Sequence, residues 1–367
     1  MHLELFTGRQ RGSPASRDLA IQLACIRAFV AEHPRPDADT SLPLAAELPL
    51  RPVYSEAEFE KRKAWALGLS EESRKMVLTH LKQARALGPM RRVARVPEPS
   101  CIDAIEADFP HCAPVLEWIR QFVALGKLCP GEELCFPPLL LSGPPGTGKT
   151  ALSQRLARAL GTEHHTIDIA SLHAGFTVSG LDTSYSTARP GLVWDALQHP
   201  CMSPLILLDE LDKAADDQRG TPLGFLYQLL EPMTARRFVD AAIGLPLDAS
   251  AILWIATCNE PAVIEPAIRS RFQEFEVPLP KSTQMPAVAR SINREMLATA
   301  PWGDAFDHEL SPDILERVGA IPPRRVLHAL RSAYATAALH GRRRLIASDV
   351  PLAPDAKRAH AIGFIHQ

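Results

Sequence analysis

One short run of residues constrains this chain more than any other feature. Gly143, Gly146 and Gly148 are spaced through the sequence Gly-Pro-Pro-Gly-Thr-Gly, and Lys149 and Thr150 follow directly. The glycines allow backbone angles that a Cβ atom would forbid, so consecutive N–H groups can turn inward around a phosphate at a helix N-terminus. A lysine at this position contacts the β- and γ-phosphates, and the threonine hydroxyl can bind Mg²⁺. The run therefore predicts a site for a nucleoside triphosphate such as ATP.

The sequence on either side of this run fits the same interpretation. The apolar stretch 136–142 before it is typical of a short buried strand. The stretch 151–160 after it places Leu152, Leu156 and Leu160 on one helical face, and Gly161 predicts the end of that helix. The nucleotide-binding residues predicted from this run are Gly143, Pro144, Pro145, Gly146, Thr147, Gly148, Lys149, Thr150 and Ala151.

A second part of the site is predicted where an apolar strand ends in two acids. The residues 204–208 are apolar, and Asp209 and Glu210 come next. A central parallel strand ends at the ligand edge of its sheet, so we expect Asp209 to complete the Mg²⁺ shell with Thr150, and Glu210 to deprotonate the attacking water. A buried strand that ends in a solvated acidic turn is the alternative. The phosphate-binding run upstream favours the catalytic interpretation.

Composition restricts the broad class of protein. The chain has 367 residues, of which 46% are hydrophobic, and a formal net charge of −2, which argues neither for nor against a nucleic-acid partner. No run approaches the roughly 20 apolar residues of a membrane span, so we expect a soluble cytoplasmic protein with no membrane partner. The seven cysteines include no CxxC pair and are odd in number, which favours reduced thiols over disulfides or a zinc site.

Three regions are predicted along the chain. Residues 1–97 form a helical and proline-rich region of unknown role, 98–280 an α/β nucleotide-binding domain, and 281–367 a helical lid domain and tail. In the first region we expect helices over 18–31, 55–67 and 70–87, with a proline-rich stretch after the first of them; the second and third open at Ser55 and Ser70, which are good N-cap residues. In the domain that follows we expect parallel strands over 136–142, 164–169, 204–209, 251–257 and 273–277, and in the lid we expect helices over 283–299, 311–319 and 323–340.

A basic stretch lies near the end of the first region. Between Glu72 and Glu98 there are seven basic residues and no acid, namely Arg74, Lys75, Lys82, Arg85, Arg91, Arg92 and Arg95. A solvated helix face followed by a linker accounts for this stretch, and a surface for nucleic acid or another acidic partner is the alternative.

These elements, in this order, resemble the AAA+ ATPases and, among them, the ATPase module of the Lon-type proteases. The resemblance covers roughly residues 105–350. It is carried by the phosphate loop, the Asp209 strand with Leu211-Asp-Lys, the string from Phe238-Val-Asp to Asn259, and the string Pro266-Ala-Ile-Arg-Ser-Arg-Phe. It implies an AAA+ fold with a parallel sheet and a small helical lid, and an ATP hydrolase that works as a ring, usually a hexamer.

The resemblance also implies roles for three residues outside the phosphate loop. Asn259 falls at the sensor-one position, where an amide can hydrogen-bond the attacking water; a turn residue at a strand end is the alternative. Arg271 matches the arginine finger that reaches a neighbouring subunit, with Arg269 as its rival. Arg324 falls at the sensor-two position of the lid; Arg325 is its rival, but Pro322 and Pro323 would place Arg324 in the first turn of a helix.

The segment 180–191 resembles the pore loop of Lon, in which an aromatic residue and an aliphatic residue grip a threaded polypeptide. Tyr185 supplies the aromatic residue, with a buried or ordinary loop tyrosine as the alternative. Ser186 and Thr187 stand where an aliphatic residue and a glycine are expected. The resemblance therefore implies a protein client that is held by an altered grip. It does not extend to a protease domain, because the chain ends at residue 367, soon after the predicted lid, and we expect no proteolysis by this chain alone.

The resulting prediction is an ATP-dependent ATPase that remodels or unfolds protein clients as a homo-oligomeric ring. A nucleic-acid motor or clamp-loader-like ATPase is the alternative, supported by the basic stretch and by Arg342-Arg-Arg. A third hypothesis, an adaptor that signals by assembly and turns over slowly, is disfavoured by the paired Asp209 and Glu210.

Overall fold

The structure is a computed structural model that describes residues 50–129, 133–172, 174–214 and 223–351. The helix predicted over 18–31 and the proline-rich stretch before residue 50 lie outside the described residues. The strands are β1 (Leu50–Pro52), β2 (Met90–Arg92), β3 (Leu139–Ser142), β4 (His164–Asp168), β5 (Leu205–Asp209), β6 (Phe238–Val239), β7 (Pro246–Leu247), β8 (Leu253–Cys258) and β9 (Gln273–Glu276).

Helices connect and follow these strands. They are α1 (Glu56–Ala66), α2 (Glu71–Leu87), α3 (Pro99–Asp108), α4 (Ala113–Gly126), α5 (Lys149–Leu160), α6 (Phe176–Ser179), α7 (Leu192–Ala196), α8 (Gly224–Leu229), α9 (Pro232–Ala235), α10 (Pro266–Arg269), α11 (Met285–Thr299), α12 (Pro312–Gly319) and α13 (Pro323–Leu339). Short 3₁₀ turns cover Pro110–Cys112, Leu211–Lys213, Pro261–Val263, Gly303–Ala305 and Ala347–Asp349.

A parallel sheet of five strands forms the centre, in the order β4-β5-β8-β3-β9. The predicted parallel sheet is therefore confirmed, and each of the five predicted strands is present. β3 and β8 are buried along their whole length, because helices cover both faces of the sheet and leave no position for polar residues. β3 lies between β8 and β9, so the loop that follows it opens at a point where the strand order switches, and ligands bind at such points in α/β sheets.

The two faces of the sheet are covered by different parts of the chain. One face is packed by α3, α4 and α5, whose side chains Ile102, Leu116 and Leu156 join the sheet residues Leu139 and Ile255 in one core. α5 begins after Gly148 and ends at Gly161, whose left-handed backbone lets its N–H bond to the carbonyl groups of the last turn. The predicted end of this helix at Gly161 is thus where the helix ends.

The opposite face of the sheet is covered partly by the two helices that precede residue 97. Phe59 of α1 and Leu81 of α2 share a core with Ile206, Leu208 and Trp254 of the sheet. Burying side chains of this size contributes about 1.5–3 kcal/mol each to the free energy of unfolding. These helices are therefore part of the same packed body as the sheet, although the role of residues 1–97 and the boundary at residue 97 stay predictions.

The serines predicted to cap α1 and α2 lie at the N-cap positions. Neither Ser55 nor Ser70 makes a side-chain hydrogen bond to its helix. Ser73 instead donates to the carbonyl oxygen of Thr183, at 3.4 Å. The predicted helix starts are therefore correct, but the two serine side chains do not make the capping hydrogen bonds on which the prediction was based.

The three helices after residue 281 have a core of their own. Val318, Leu330 and Ala333 are buried in it, and Trp302, Phe306 and Tyr334 stack edge to face beside them. The Tyr334 hydroxyl donates to Asn293 Oδ1 at 2.9 Å. This small helical unit packs against the sheet domain beside the loop that follows β3.

In the described part of the chain, no helix is both long and apolar enough to cross a membrane. The six cysteines within the described residues are unpaired.

Candidate nucleotide-binding site

The loop between β3 and α5 has the backbone that a phosphate cradle needs. The φ angles of Gly143, Gly146 and Gly148 are 142°, 84° and 87°. A Cβ atom on Gly143 would lie 2.3 Å from the carbonyl oxygen of Val277, so this position requires glycine on steric grounds as well. The loop therefore opens onto the N-terminus of α5, where N–H groups are available to an anion.

Lys149 is the buried cation of this loop. Its ammonium group donates to the carbonyl oxygens of Gly143 (2.7 Å) and Pro144 (3.1 Å), and to Asn259 Oδ1 (3.3 Å). Burial lowers the pKa of Lys149, while the groups of Cys258, Asp212, Asp209 and Glu210 act in the opposite direction. Because its partners are neutral oxygens, this ammonium is available to bind a phosphate.

Three oxygen-bearing side chains meet beside the lysine. The Thr150 hydroxyl lies 3.2 and 3.3 Å from the two carboxylate oxygens of Asp209. The Thr257 hydroxyl of β8 also donates to Asp209. Two cis oxygen ligands of an octahedral Mg²⁺ with bonds of about 2.1 Å lie about 3 Å apart, so the Thr150 and Asp209 oxygens fit this ion.

Glu210 has an unusual backbone. Its φ is 57°, and no other non-glycine residue in the described ranges has a positive φ. Its N–H donates to Thr257 Oγ1 at 3.0 Å, and the 3₁₀ turn Leu211–Lys213 follows directly. This geometry turns the exposed Glu210 carboxyl group out of the strand direction at the edge of the sheet, and such strained backbone is often found at functional sites.

The structure brings most of the predicted residues to one cavity of about 330 Å³. Its lining is Pro145, Gly146, Thr147, Gly148, Lys149, Thr150, Ala151, Asp209, Glu210, Thr257, Cys258 and Asn259. Gly143 and Pro144 lie behind it and contribute the carbonyl groups that hold Lys149.

A second cavity, of about 500 Å³, shares Gly146, Thr147, Gly148 and Ala151 with the first. Its other walls are mostly apolar and come from the lid, where Val288, Ile292, Met296 and Leu327 contribute, and from Phe109. A largely apolar cavity next to a phosphate loop has the chemistry that a nucleoside needs.

His111 supports the loop from below. Its ring is buried, and its Nε2 lies 2.8 Å from the carbonyl oxygen of Thr147. A carbonyl only accepts, so Nε2 carries the proton, and burial lowers the pKa of His111 and keeps the ring neutral. The imidazole therefore fixes the middle of the phosphate loop to the segment that precedes α4.

The lid touches the phosphate loop through the first turn of α13. A Cβ atom on Gly146 would lie 2.8 Å from Cβ of Arg324. α13 starts at Pro323, with Pro322 at the N-cap, so Arg324 occupies the first turn, as expected. The three atoms nearest to such a Cβ atom all belong to Arg324, and none belongs to Arg325.

Arg271 lies away from both cavities of its own chain. Its Nε is 3.2 Å from Glu231 Oε1, and its guanidinium carbon lies 5.1 Å from the centre of the Tyr227 ring. Arg269 is bound by Glu274 of β9, at 2.9 Å for Nε and 2.6 Å for Nη2. The two arginines thus differ in their partners, and Arg269 has the tighter ion pair.

Tyr185 lies in a closed surface loop on another side of the domain. Its side chain is 59% exposed, and the loop is closed by the N–H of Leu181, which donates to the carbonyl of Arg189 at 2.9 Å. Both ends of this loop meet the buried carboxylate of Asp240. Asp240 accepts the N–H of Gly191 at 2.7 Å, and its Oδ1 lies so close to Gly180 that a Cβ there would be 2.4 Å away. Asp240 therefore fixes the base of the loop that carries Tyr185.

Asp240 predicts a pH dependence of stability. Burial raises the pKa of its carboxyl group to about 6, although the N–H groups of Gly191, Ile243 and Ala242 act to lower it and the charge of Asp195 raises it further. Since the folded pKa lies above the usual 3.8, this group's contribution to stability is fully present below pH 3.8 and is lost as the pH rises through about 6. The Asp240→Asn variant lacks this titration. We expect the free energy of unfolding of the variant, minus that of the parent, to rise by about 1.4 kcal/mol from pH 5 to pH 7.

Urea unfolding of both proteins at several pH values measures this difference. A constant offset across the range would contradict the raised pKa, whatever the size of the offset. The difference is diagnostic because the other titrating groups of the chain are the same in both proteins.

The fold and the site together define the class of this protein, which is an α/β protein with a phosphate-binding loop between a central parallel strand and a helix. Residues 139–279 match the model of the family described as "ATPase family associated with various cellular activities (AAA)". Over this region the chain therefore resembles the AAA ATPases and, among them, the ATPase module of the Lon-type proteases.

Lon proteases are among the curated relatives. The Lon protease of Amoebophilus asiaticus is 36% identical over 164 residues, which is 44% of this chain and 20% of the relative. That of Desulfovibrio desulfuricans is 30% identical over 236 residues, which is 62% of this chain and 26% of the relative. The chain therefore spans between about a fifth and a quarter of the length of these two relatives.

The solved structures that are similar include the Thermotoga maritima RuvB Holliday junction branch migration motor. The sequence identity is 16% and the TM-score 0.42, over 65% of this chain and 66% of that chain. The fold assignment rests on the strand order and the family match described above rather than on this likeness.

Four residues that hold the site in place through hydrogen bonds or ion pairs were not predicted from the sequence. They are Thr257, which bonds Asp209 and Glu210; Asp212, which bonds the turn of Asn259; His111, which supports the phosphate loop; and Asp108, whose buried carboxylate binds Arg155 of α5 and Arg294 of α11. Asp212 had a usable signal, since it follows the acidic pair within the same turn. The others are distant in sequence from the residues that they contact.

Proposed function

We propose that this chain is a Mg²⁺-dependent ATPase that assembles into a homo-oligomeric ring and uses hydrolysis to remodel or unfold polypeptide clients. The observation that carries the hydrolytic part is the meeting of Lys149, Thr150, Asp209, Glu210 and Asn259 at one cavity. These side chains lie at or directly after the carboxyl ends of the neighbouring strands β5 and β8, and at the start of α5, which follows the neighbouring strand β3. They provide a cation, metal ligands, a base and an amide.

The reaction follows from their positions. The oxygen of a water forms a bond to the γ-phosphorus, the bond from the γ-phosphorus to the β,γ-bridging oxygen breaks, and its electron pair leaves with ADP. Glu210 takes the proton that the water loses, and the Asn259 amide orients the water. Lys149 neutralises the β- and γ-phosphates, and bound Mg²⁺, held by Thr150 and Asp209, would supply further positive charge there.

Assembly is proposed because one of the two arginines expected to act on the γ-phosphate lies away from the cavities of its own chain. Arg271 lies outside both cavities, and Arg324 lies against the phosphate loop at Gly146. We propose that Arg271 acts in the site of a neighbouring copy and that Arg324 contacts the γ-phosphate of its own site. An arginine supplied in this way is worth about 10³–10⁵ in the rate of phosphoryl transfer.

A polypeptide client is favoured by the environment of Tyr185 and by the state of the basic residues. Tyr185 is an exposed aromatic in a loop whose base is fixed by Asp240. In contrast, several arginines that would support a nucleic-acid surface have other partners. Arg91 is buried and bonds carbonyl groups, Arg85 pairs with Glu60, and Arg342 pairs with Asp349.

Phosphate release in the presence of different additives tests the client. We expect denatured protein to stimulate hydrolysis severalfold, and we expect the Tyr185→Ala variant to lose most of that stimulation because apolar grip depends on the ring. Leu128→Ala is the matched control, since Leu128 is exposed but lies outside the loop. Stimulation by DNA or RNA that falls steeply with salt, without any response to denatured protein, would refute the polypeptide client and favour the nucleic-acid motor.

A further inference from the structure

Two turns face each other at the edge of the sheet where the nucleotide site lies. One follows β5 and contains Glu210 and the 3₁₀ turn Leu211–Lys213; the other follows β8 and contains Asn259 and Glu260. β5 and β8 are paired in parallel, so the turns that follow them are neighbours. The direction of the Asn259 amide depends on how the second turn is held.

A single carboxylate links these turns. Asp212 Oδ2 accepts the backbone N–H of Asn259 at 3.2 Å and that of Glu260 at 3.1 Å. The side chain of Asp212 is only 1% exposed, so both hydrogen bonds are shielded from water. Hydrogen bonds to a charged acceptor are roughly twice as strong as neutral ones. The peptide groups on both sides of Asn259 are therefore fixed by one residue of the neighbouring turn.

The other oxygen of this carboxylate is not explained by the fold. Asp212 Oδ1 is buried and has no hydrogen-bond partner among the described residues. The nearest cation to Oδ2 that forms an ion pair is Lys213, at 3.8 Å. A buried polar atom without a partner is uncommon and costly, and a functional role is one reason for a protein to keep it.

We propose that Asp212 is a positioning residue for hydrolysis, which fixes the turn of Asn259 so that its amide and the Glu210 carboxylate flank the same attacking water. This inference rests on the proposed ATPase function. Asp212 lines neither cavity and so does not touch the nucleotide itself. Its effect must therefore be on the rate of the chemical step and not on the binding of ATP.

Two substitutions at this position separate orientation from charge. Asp212→Ala removes both hydrogen bonds, and we expect kcat to fall about 10- to 100-fold while the Kd for ATP changes less than threefold. Asp212→Asn can place its amide oxygen where Oδ2 accepts both N–H groups, and its NH₂ where the partnerless Oδ1 lies. We therefore expect Asp212→Asn to keep at least about a third of the parent's kcat, since the acceptor is retained and only the charge is lost.

A double-mutant cycle gives the readout that a merely structural role would not produce. If Asp212 acts through Asn259, then Asp212→Ala in an Asn259→Ala background lowers kcat little further. Additive effects would overturn the inference, and so would equal losses in Asp212→Asn and Asp212→Ala. Steady-state phosphate release and binding of a fluorescent ATP analogue, both measured on the full chain, provide the two constants.

Asp248→Ala is the matched control for the loss of a capping aspartate. Asp248 accepts the backbone N–H of Ser250 at 2.9 Å, in the loop that leads into β8, away from the site. We expect its kcat to equal that of the parent. Thermal unfolding followed by circular dichroism tests the fold of each variant. Should Asp212→Ala not fold, Asp212→Ser, whose side chain is too short to reach both N–H groups, takes its place in the cycle with Asn259→Ala. A parent without hydrolysis would refute the proposed function, whereas an active parent matched by Asp212→Ala would refute this inference alone.

Discussion

Glu210→Gln is expected to bind ATP as tightly as the parent and to hydrolyse it at least about a hundredfold more slowly. The glutamine keeps the size and the hydrogen-bonding reach of the side chain but cannot take a proton from water, and general base catalysis contributes about 10²–10⁴ to such rates. The strained backbone of residue 210 is held by the Thr257 hydroxyl and by the turn that follows, neither of which the substitution changes. Binding and chemistry should therefore separate completely.

Equilibrium binding of a fluorescent ATP analogue and single-turnover hydrolysis measure the two effects. Glu276→Gln is the matched control, because Glu276 ends β9 at the same edge of the sheet but lines neither cavity. Equal hydrolysis by Glu210→Gln and the parent would refute the assignment of the base. A hundredfold loss of ATP affinity would show instead that Glu210 is needed for binding.

Arg271→Ala is expected to lower hydrolysis about a thousandfold while leaving the cavity of its own chain intact. In the proposed ring the guanidinium acts on a neighbour's phosphoryl group, where its charge is worth about 10³–10⁵ in rate. Arg269→Ala is the natural control, since Arg269 is only two residues away and already bound to Glu274. We expect Arg269→Ala to change stability more than it changes hydrolysis.

Mixing two inactive variants tests whether the arginine acts between copies. Arg271→Ala keeps its nucleotide site, and Lys149→Ala keeps its arginine, so a mixture contains interfaces at which both are present. Recovery of phosphate release in the mixture, at a protein concentration where each variant alone is inactive, is the expected result. A mixture as inactive as its components, from variants that still assemble by light scattering, would refute action between copies.

The central sheet could be predicted from the sequence because its strands are short apolar runs and its phosphate loop has a fixed spacing. The helices 149–160 and 323–339 were predictable for a similar reason, since glycine or proline marks their ends. The packing of α1 and α2 on the sheet was not predictable, because the spacing of their apolar residues indicates a buried helix face but does not identify the surface that this face covers. Long-range packing of this kind is set by the whole chain.

A residue of the candidate site was predictable only where its amino-acid type and its spacing from neighbouring residues together indicate a chemical role. Lys149, Thr150, Asp209 and Glu210 are of this kind. Thr257 and His111 are not, because a threonine in a strand and a histidine before a helix have no distinctive spacing. Their importance depends on partners about 50 and 35 residues away, respectively, which come close only in the fold.

The left-handed backbone at Glu210 affects which substitutions selection for stability would favour at this position. A glycine would adopt that conformation with less strain, so a search for greater thermal stability would be drawn toward it. A variant selected in this way would be more stable and would keep the phosphate loop, yet it would lack the Glu210 carboxylate that we propose as the base. Thermal stability and the proposed hydrolysis therefore favour different residues at position 210. Selection of a variant library for thermal stability alone would stabilise the fold and remove the proposed base.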